Sequence, residues 1–276
     1  MNIADEEWNK NYSLQRKRSG FKSSADHFSK KESAERMLMK IMKNPSAHIS
    51  EQLRSLNFPR GASVLDIGAG PGTLAVPLTK DGCKVTVVEP SDAMAGAMQK
   101  YKEFCGVGDE IPRIPKLWQD VDIDEVSGRY DYVISSFSLG VPNLLDALMK
   151  MNAAAKKQVH IFWFLNAPPW KVIKRDLWKK LRGEEYPDWF SYADVVWRAL
   201  FLENIYANIT VHNINDGSHY LSVKQAAASY SDILPEINDE QFKVIEDYLD
   251  DILIKESDNK YSIPGVGKFA HIWWDK

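Results

Sequence analysis

Val64-Leu65-Asp66-Ile67-Gly68-Ala69-Gly70-Pro71-Gly72-Thr73-Leu74-Ala75 is a short apolar run that meets three glycines at alternate positions and then turns into a helical pattern. The order reads as strand, tight turn, helix. Glycine at 68, 70 and 72 opens positive φ to the turn and removes the Cβ atoms that would hold a ligand off the backbone. A flat, polar ligand can then lie directly on the loop.

Two kinds of nucleotide-like ligand use such a loop, and the spacing decides between them. Dinucleotide folds want G-x-G-x-x-G, with the last glycine packing helix on strand and a pyrophosphate at the helix N-terminus. Here the third glycine comes two residues after the second, and Thr73 stands where a dinucleotide fold needs its glycine. Asp66, two before the first glycine, completes Asp-x-Gly-x-Gly-x-Gly. In this form the stretch resembles the first motif of the class I S-adenosylmethionine-dependent methyltransferases. The resemblance covers about residues 60 to 165 by motif and the ends by element order alone. It implies an α/β fold, a Rossmann-like seven-stranded sheet with helices on both faces, and S-adenosylmethionine as cofactor. The contacts it implies come from Asp66, Gly68, Ala69, Gly70, Gly72, Glu89, Pro90, Ser91, Met94, Asp120, Val121 and Ser135.

Downstream, Thr73 to Lys80 reads as a helix that is short or bent, because Pro77 lacks an amide proton. Lys84-Val85-Thr86-Val87-Val88-Glu89 is β-branched and near-continuous, as a strand covered on both faces should be. In an open parallel sheet the ligand lies beyond the carboxyl ends of the strands, where an acid can accept from both hydroxyls of a ribose. Glu89 lies 19 residues after Gly70, the interval at which the resembling family places that acid. Ser91 or Asp92 caps the next helix, and Met94 in its first turn either packs on adenine, as the resemblance implies, or fills core. A weaker third strand, Ile114 to Trp118, precedes Gln119-Asp120-Val121. The resemblance implies an acid here for the exocyclic amine of adenine, with Asp120 the candidate and Asp122, Asp124 and Glu125 its rivals.

Tyr130 to Ser138 supplies the fourth strand. Base-modifying members of the resembling family carry Asn/Asp-Pro-Pro-aromatic at its end; this chain has Ser136-Phe137-Ser138. That departure argues against methylation of an exocyclic nucleobase amine. Asn166-Ala167-Pro168-Pro169-Trp170 looks like the missing motif, but Ala167 interrupts it and it follows the fifth strand, Gln158 to Leu165. Its prolines end that strand and start a helix.

Trp170, Trp178, Tyr186, Trp189, Phe190, Tyr192 and Trp197 then crowd one largely helical stretch. The resemblance makes this a helical insertion after the fifth strand, a cap over about residues 168–204, with most rings packing it and two or three lining a substrate pocket. Ala207 to Ile214 reads as the sixth strand, Leu221 to Leu253 as one or two helices with Asn238 or Asp239 as a cap, and Lys268 to Trp274 as a final strand. That last strand is similar to the antiparallel seventh strand of the family's sheet.

Ahead of the first strand, residues 1 to about 24 read as a polar arm, with Lys10, Arg16, Lys17, Arg18 and Lys22 interleaved with Trp8, Tyr12 and Phe21. Ala34, Met37, Leu38, Ile41 and Met42 mark one buried helical face, and Pro45-Ser46 breaks it before a second helix to Leu56. The resemblance makes this a helical lid, so the division expected is residues 1–58 for arm and lid and 59–276 for the catalytic domain. His27 and Tyr192 are the candidates for a catalytic base.

Over 276 residues, 26% charged side chains, 44% apolar ones and a net charge of -3 describe an ordinary globular protein with no basic excess for nucleic acid. Cys83 and Cys105 are too few for a disulfide framework and lack metal-ligand spacing. No signal-like N-terminus and no run near the ~20 apolar residues of a membrane helix is found, so a cytoplasmic location is expected, with no membrane partner. The sequence therefore points to methyl transfer from S-adenosylmethionine to a small-molecule acceptor, needing no metal. A noncatalytic cofactor-binding scaffold or sensor, or a nicotinamide-dependent oxidoreductase sharing the sheet, are the alternatives.

Overall fold

Seven runs of apolar and β-branched residues build the central sheet of the computed structural model, which describes residues 2–19, 30–43, 47–186, 188, 190–214, 219–231 and 236–276. They are β1 (Ser63–Ile67), β2 (Lys84–Val88), β3 (Arg113–Ile114), β4 (Tyr130–Ser136), β5 (Ala155–Phe164), β6 (Asn208–Ile214) and, after three short strands, β10 (Gly267–Asp275). Their order is β3-β2-β1-β4-β5-β10-β6. β1 pairs in parallel with β2 on one side and β4 on the other, Leu65 facing Thr86 and Val133. The strand order reverses between those neighbours, and in an open parallel sheet that reversal opens a crevice at the carboxyl ends. β10 runs antiparallel to β5, with His271 opposite Phe162.

The helices are α1 (Ile3–Ser19), α2 (Lys31–Lys43), α3 (Ala47–Leu56), α4 (Ala75–Lys80), α5 (Asp92–Phe104), α6 (Ile123–Val126), α7 (Leu144–Ala154), α8 (Pro169–Arg182), α9 (Ala193–Leu202), α10 (Val223–Tyr230) and α11 (Asp239–Ile252). One face of the sheet packs Val133, Ile161 and Trp163 against Leu144 and Leu148 of α7, Val196 and Leu200 of α9, and Ala4 and Trp8 of α1. On the opposite face, Phe58 just after α3 stacks on Tyr132 with centroids 4.0 Å apart. α2 packs on α5.

The N-terminal segment is helical, with its cations Lys10 and Lys17 exposed and one of its rings anchored in the core. Ala4 and Trp8 fall one helical turn apart and are both buried, and the Trp8 indole donates to the Val141 carbonyl at 2.9 Å. Asp5 accepts from the Leu145 amide at 2.8 Å, satisfying an open donor in the first turn of α7. Only two residues of the third strand pair as strand; Trp118 opens a single 3-10 turn, Trp118–Asp120, and its buried indole donates to the Ala147 carbonyl. The first helix after the glycine loop begins at Ala75, not Thr73, and the fifth strand starts three residues early, at Ala155.

Contacts divide the chain into two units, one of Met1–Leu165, Trp189–His212 and Phe269–Lys276, the other of Asn166–Asp188 and Asn213–Lys268. These bounds differ from a break at residue 58 with a single cap over 168–204. The second unit has a core of Ile173 and Leu177 from α8, Ala226, Ala227 and Tyr230 from α10, and Ile245 and Leu249 from α11. Pro169 is the first residue of α8, as expected of a ring that fixes φ where an amide is dispensable. Asn238 caps α11 in a capping box with Gln241. The unit also holds a small sheet in the order β7-β9-β8, made of β7 (His219–Tyr220), β8 (Ile254–Ser257) and β9 (Lys260–Ser262).

Candidate active site

The glycine loop leaves β1 at the crevice, and its three glycines answer to different neighbours. A Cβ at Gly68 would stand 2.4 Å from the Ser138 Cβ, and one at Gly72 would stand 2.6 Å from the Met98 Cγ. A Cβ at Gly70 would meet no atom within 4 Å. The first and third glycines serve the protein's own packing, whereas Gly70 presents bare backbone, at φ 55, to open space.

Glu89, directly after β2, ties this loop to the next turn. Its Oε2 accepts from the Gly70 amide and its Oε1 from the Ser91 amide, each at 2.8 Å. Burial pushes its carboxyl above the ordinary range, while the Ser91 and Gly70 amides and the Arg113 charge pull the other way. Asp66 is 2% exposed; burial, and then the charge of Glu89, push its carboxyl up to about 7 against the Ala75 amide. Two buried carboxyls at one loop favour a cation nearby.

Arg113, which carries no motif in the sequence, locks the turn. It donates to the carbonyls of Glu89 at 2.7 Å and Pro90 at 3.0 Å and to the Asp92 carboxylate at 2.8 Å. Ser91 is the N-cap of α5 and accepts from the Met94 amide. Met94 is buried within α5's inner face, the position of a core residue. Ala69 is buried and Pro90 half-buried beside the loop.

Asp120 is exposed at the end of its turn and Val121 is buried. Its rivals are otherwise engaged: Asp122 caps α6, and Glu125 returns to the Asp122 amide and pairs with Lys116 at 2.5 Å. Asp124 accompanies them as an exposed residue of α6. Ser135 is fully buried, its hydroxyl 2.8 Å from that of Ser138, which donates to the Ile67 carbonyl at 2.5 Å. Ser138 thus ties the chain just beyond β4 to the end of β1, with the Ser135 hydroxyl as its second partner.

Beyond β4 the polar motif of a base-modifying site is replaced by an aromatic wall. Phe137 has φ 53, a left-handed conformation that is strained for a bulky residue, and its amide is held by the Phe162 carbonyl at 2.9 Å. Its ring lies 4.5 Å from Phe164, 5.6 Å from Phe269 and 6.0 Å from His48 of α3. Buried Gln52 of the same helix donates to the Ser136 hydroxyl at 2.9 Å. Phe164 reaches Phe190 at 5.8 Å, and Phe190 reaches Tyr192 at 5.0 Å.

Among the described residues of the aromatic run between 170 and 197, Phe190, Tyr192 and Trp197 belong to the unit that holds the loop, and Trp170, Trp178 and Tyr186 to the other. Trp197 donates to the Ala207 carbonyl and stacks on Phe201. Trp189 and His27 lie outside the described residues. His48, Gln52 and Phe269 went unnoticed in the sequence, since each is a lone residue on an ordinary helix or strand. Their shared signal is position alone.

The chain matches the methyltransferase domain family over residues 42–204. It belongs to that family. An uncharacterized protein of Haemophilus influenzae is 28% identical over 243 residues, covering 88% of this chain and 87% of that one. Among solved structures, a Bacillus halodurans protein provisionally classed as a methyltransferase is 12% identical with a TM-score of 0.54, covering 83% of this chain and 98% of that one. An Anabaena variabilis protein, provisionally classed as a methyltransferase of an antibiotic biosynthesis pathway, is 14% identical with a TM-score of 0.52, over 83% and 98%. At such identities the likeness is one of fold. Among the described residues, no helix is long and apolar enough to cross a membrane.

Proposed function

We propose that this methyltransferase transfers the methyl group of S-adenosylmethionine to a small-molecule acceptor seated beyond the end of β4. The observation that carries the reading is the Gly70 and Glu89 arrangement: bare backbone facing open space, joined to a buried carboxylate at the strand end. A carboxylate oxygen has two lone-pair sites, so Glu89 can accept from a ribose while keeping its amide partners. Gly68, Ala69 and Gly70 would underlie the cofactor, Asp66 would support the loop from below, and Asp120 with the Val121 backbone would meet adenine. Pro90 and Ser91 shape the turn beside it.

When bound, the cofactor supplies a methyl group already activated by the positive charge of its sulfonium. The chain's part is then alignment and exclusion of water, with the two buried carboxyls favouring a cation. Phe137, Phe164, Phe190 and Phe269 form an apolar wall for a planar or apolar acceptor. Tyr192 and His48 are the protic side chains beside that wall, placed to accept a proton from an acceptor that carries one. A cytoplasmic location belongs to the same reading, supported by two cysteines that are both free thiols.

Titration calorimetry with S-adenosylhomocysteine tests the cofactor half directly. Binding with one site per chain is expected; no heat and no thermal stabilisation at saturating ligand would overturn it. Incubation with labelled S-adenosylmethionine and a low-molecular-weight metabolite extract tests the acceptor half, and label appearing only in polymer would reverse it.

A further inference from the structure

β6 is an outer strand of the seven-stranded sheet, and it is the longest outer strand in the described protein. A free edge presents unpaired amides and carbonyls, and monomeric proteins blunt such edges with charge, proline or shortness. This chain does so at its other edges. β3 has two residues, flanked by Pro112 and Pro115, and β7 also has two. β8 carries Lys255 and Glu256, which pair with Asp258 and Lys260.

β6 carries none of these devices. Asn208-Ile209-Thr210-Val211-His212-Asn213-Ile214 contains no proline, lysine, arginine or carboxylate. Its residues 208–211 are all exposed, Ile209 by 43% and Val211 by 54%. Side chains alternate along a strand, and His212 stacks on Phe269 on the face that carries α3, so Ile209 and Val211 lie on the face that α9 covers. At the end of α9, Phe201 and Leu202 are also exposed, and Tyr206 follows with its ring against Phe201.

We propose that β6 is a homodimer interface, pairing antiparallel with β6 of a second copy of this chain. The occupant follows from the strand's chemistry. A strand without lysine, arginine or carboxylate offers no fixed charge for a basic or acidic partner to read, and its one ionisable side chain, His212, is engaged by Glu51 of α3 at 3.3 Å, so the strand can face its own copy without repulsion. Antiparallel pairing of identical strands closes on a two-fold axis, needs no second surface, and cannot extend into a filament. Centred on Val211, it sets each Val211 against its counterpart and each Thr210 against a His212. On the α9 face it brings Ile209 and Val211 of the two copies into one apolar cluster, within reach as direct and diagonal neighbours. The two sheets then continue as one.

Sedimentation velocity of the full chain, across dilutions from tens of micromolar downward, tests this. The unmodified protein should sediment as two chains and dissociate on dilution, while Val211→Lys and the double variant Ile209→Lys/Val211→Lys should sediment as one chain with unchanged circular dichroism. A one-chain species at every concentration overturns the proposal, as does a dimer indifferent to both variants. Should the variants misfold, hydrogen exchange of the unmodified chain decides: β6 amides should be protected at high concentration and lose protection on dilution. Protection that is independent of concentration counts against the interface.

Discussion

Glu89 holds Gly70 and Ser91 through one carboxylate, so its loss should be felt in the loop and in ligand affinity together. Glu89→Ala is expected to weaken S-adenosylhomocysteine binding by about 1–3 kcal/mol in calorimetry, and unchanged affinity would remove it from the site. The glycines separate fold from function. Gly72→Ala drives a Cβ into Met98 and should lower the unfolding midpoint markedly, whereas Gly70→Ala meets no protein atom and costs only the ~1 kcal/mol of a left-handed alanine. Gly70→Ala should nonetheless lose ligand affinity, because its methyl enters the space assigned to the cofactor; native affinity in a folded Gly70→Ala protein would show the loop to be only a turn. Asp66 has a pH signature. Its carboxyl is raised from 3.8 to about 7 in the fold, so its stabilising proton uptake is complete below pH 3.8 and lost as pH rises through 7. Asp66→Asn, which can still accept from Ala75, should therefore be more stable than the unmodified protein at pH 8, by on the order of 4 kcal/mol, with the gap closing toward pH 4. Equal urea midpoints at pH 8 would refute the assignment.

At the scale of elements, the join between β5 and β10 is made by histidines. His160 Nδ1 lies 2.9 Å from His271 Nε2, and both rings are buried. Burial lowers His160 to about 4, with Asp275 opposing, and burial followed by the neighbouring His160 and His212 lowers His271 to about 3. Both are depressed below the unfolded value of 6.5, so the join is intact above that pH and loses stability as pH falls toward 4. The loss from His160 alone is on the order of 3 kcal/mol. Imidazole proton resonances should show two of the six histidines failing to titrate above about pH 5. Six histidines all titrating near 6.5 would mean that the pair is solvated.

At the scale of the whole molecule, the question is whether the basic residues before the first strand read a polymer. Net charge is -3, and α1 is anchored in the core by Ala4 and Trp8, so its exposed cations Lys10 and Lys17 sit on a packed helix and not on a free arm. Deleting the segment would remove a buried tryptophan, which alone costs about 3–5 kcal/mol, and would confuse folding with binding. The double variant Lys10→Gln/Lys17→Gln is the cleaner probe. Mixed RNA and DNA should bind weakly to the unmodified protein at moderate salt; tight binding that falls steeply with salt and weakens in the variant would establish a nucleic-acid partner.

Local chemistry made most of the catalytic domain legible in the sequence. The alternate glycines, the β-branched run ending in Glu89, the Ser91 cap and the Pro-Pro start of α8 each depend on neighbours within a few residues, and backbone sterics or an unsatisfied amide dictate the outcome. Tertiary structure alone decided what depends on distant partners. Ser135 reads as a strand-end residue open to a ligand until Ser138 and the Ile67 carbonyl claim its surroundings. Residues 1 to about 24 read as a polar arm because one buried face needs only Ala4 and Trp8, too few to set a period, and their burial partners come from α7 and α9. Arg113, Gln52 and Phe269 had no motif to declare them, since their roles come from meeting Glu89, Ser136 and Phe137 across strands and helices far apart in the chain. A site assembled from single residues on separate elements leaves no periodicity and no spacing, and exists only once the sheet has brought its strand ends together.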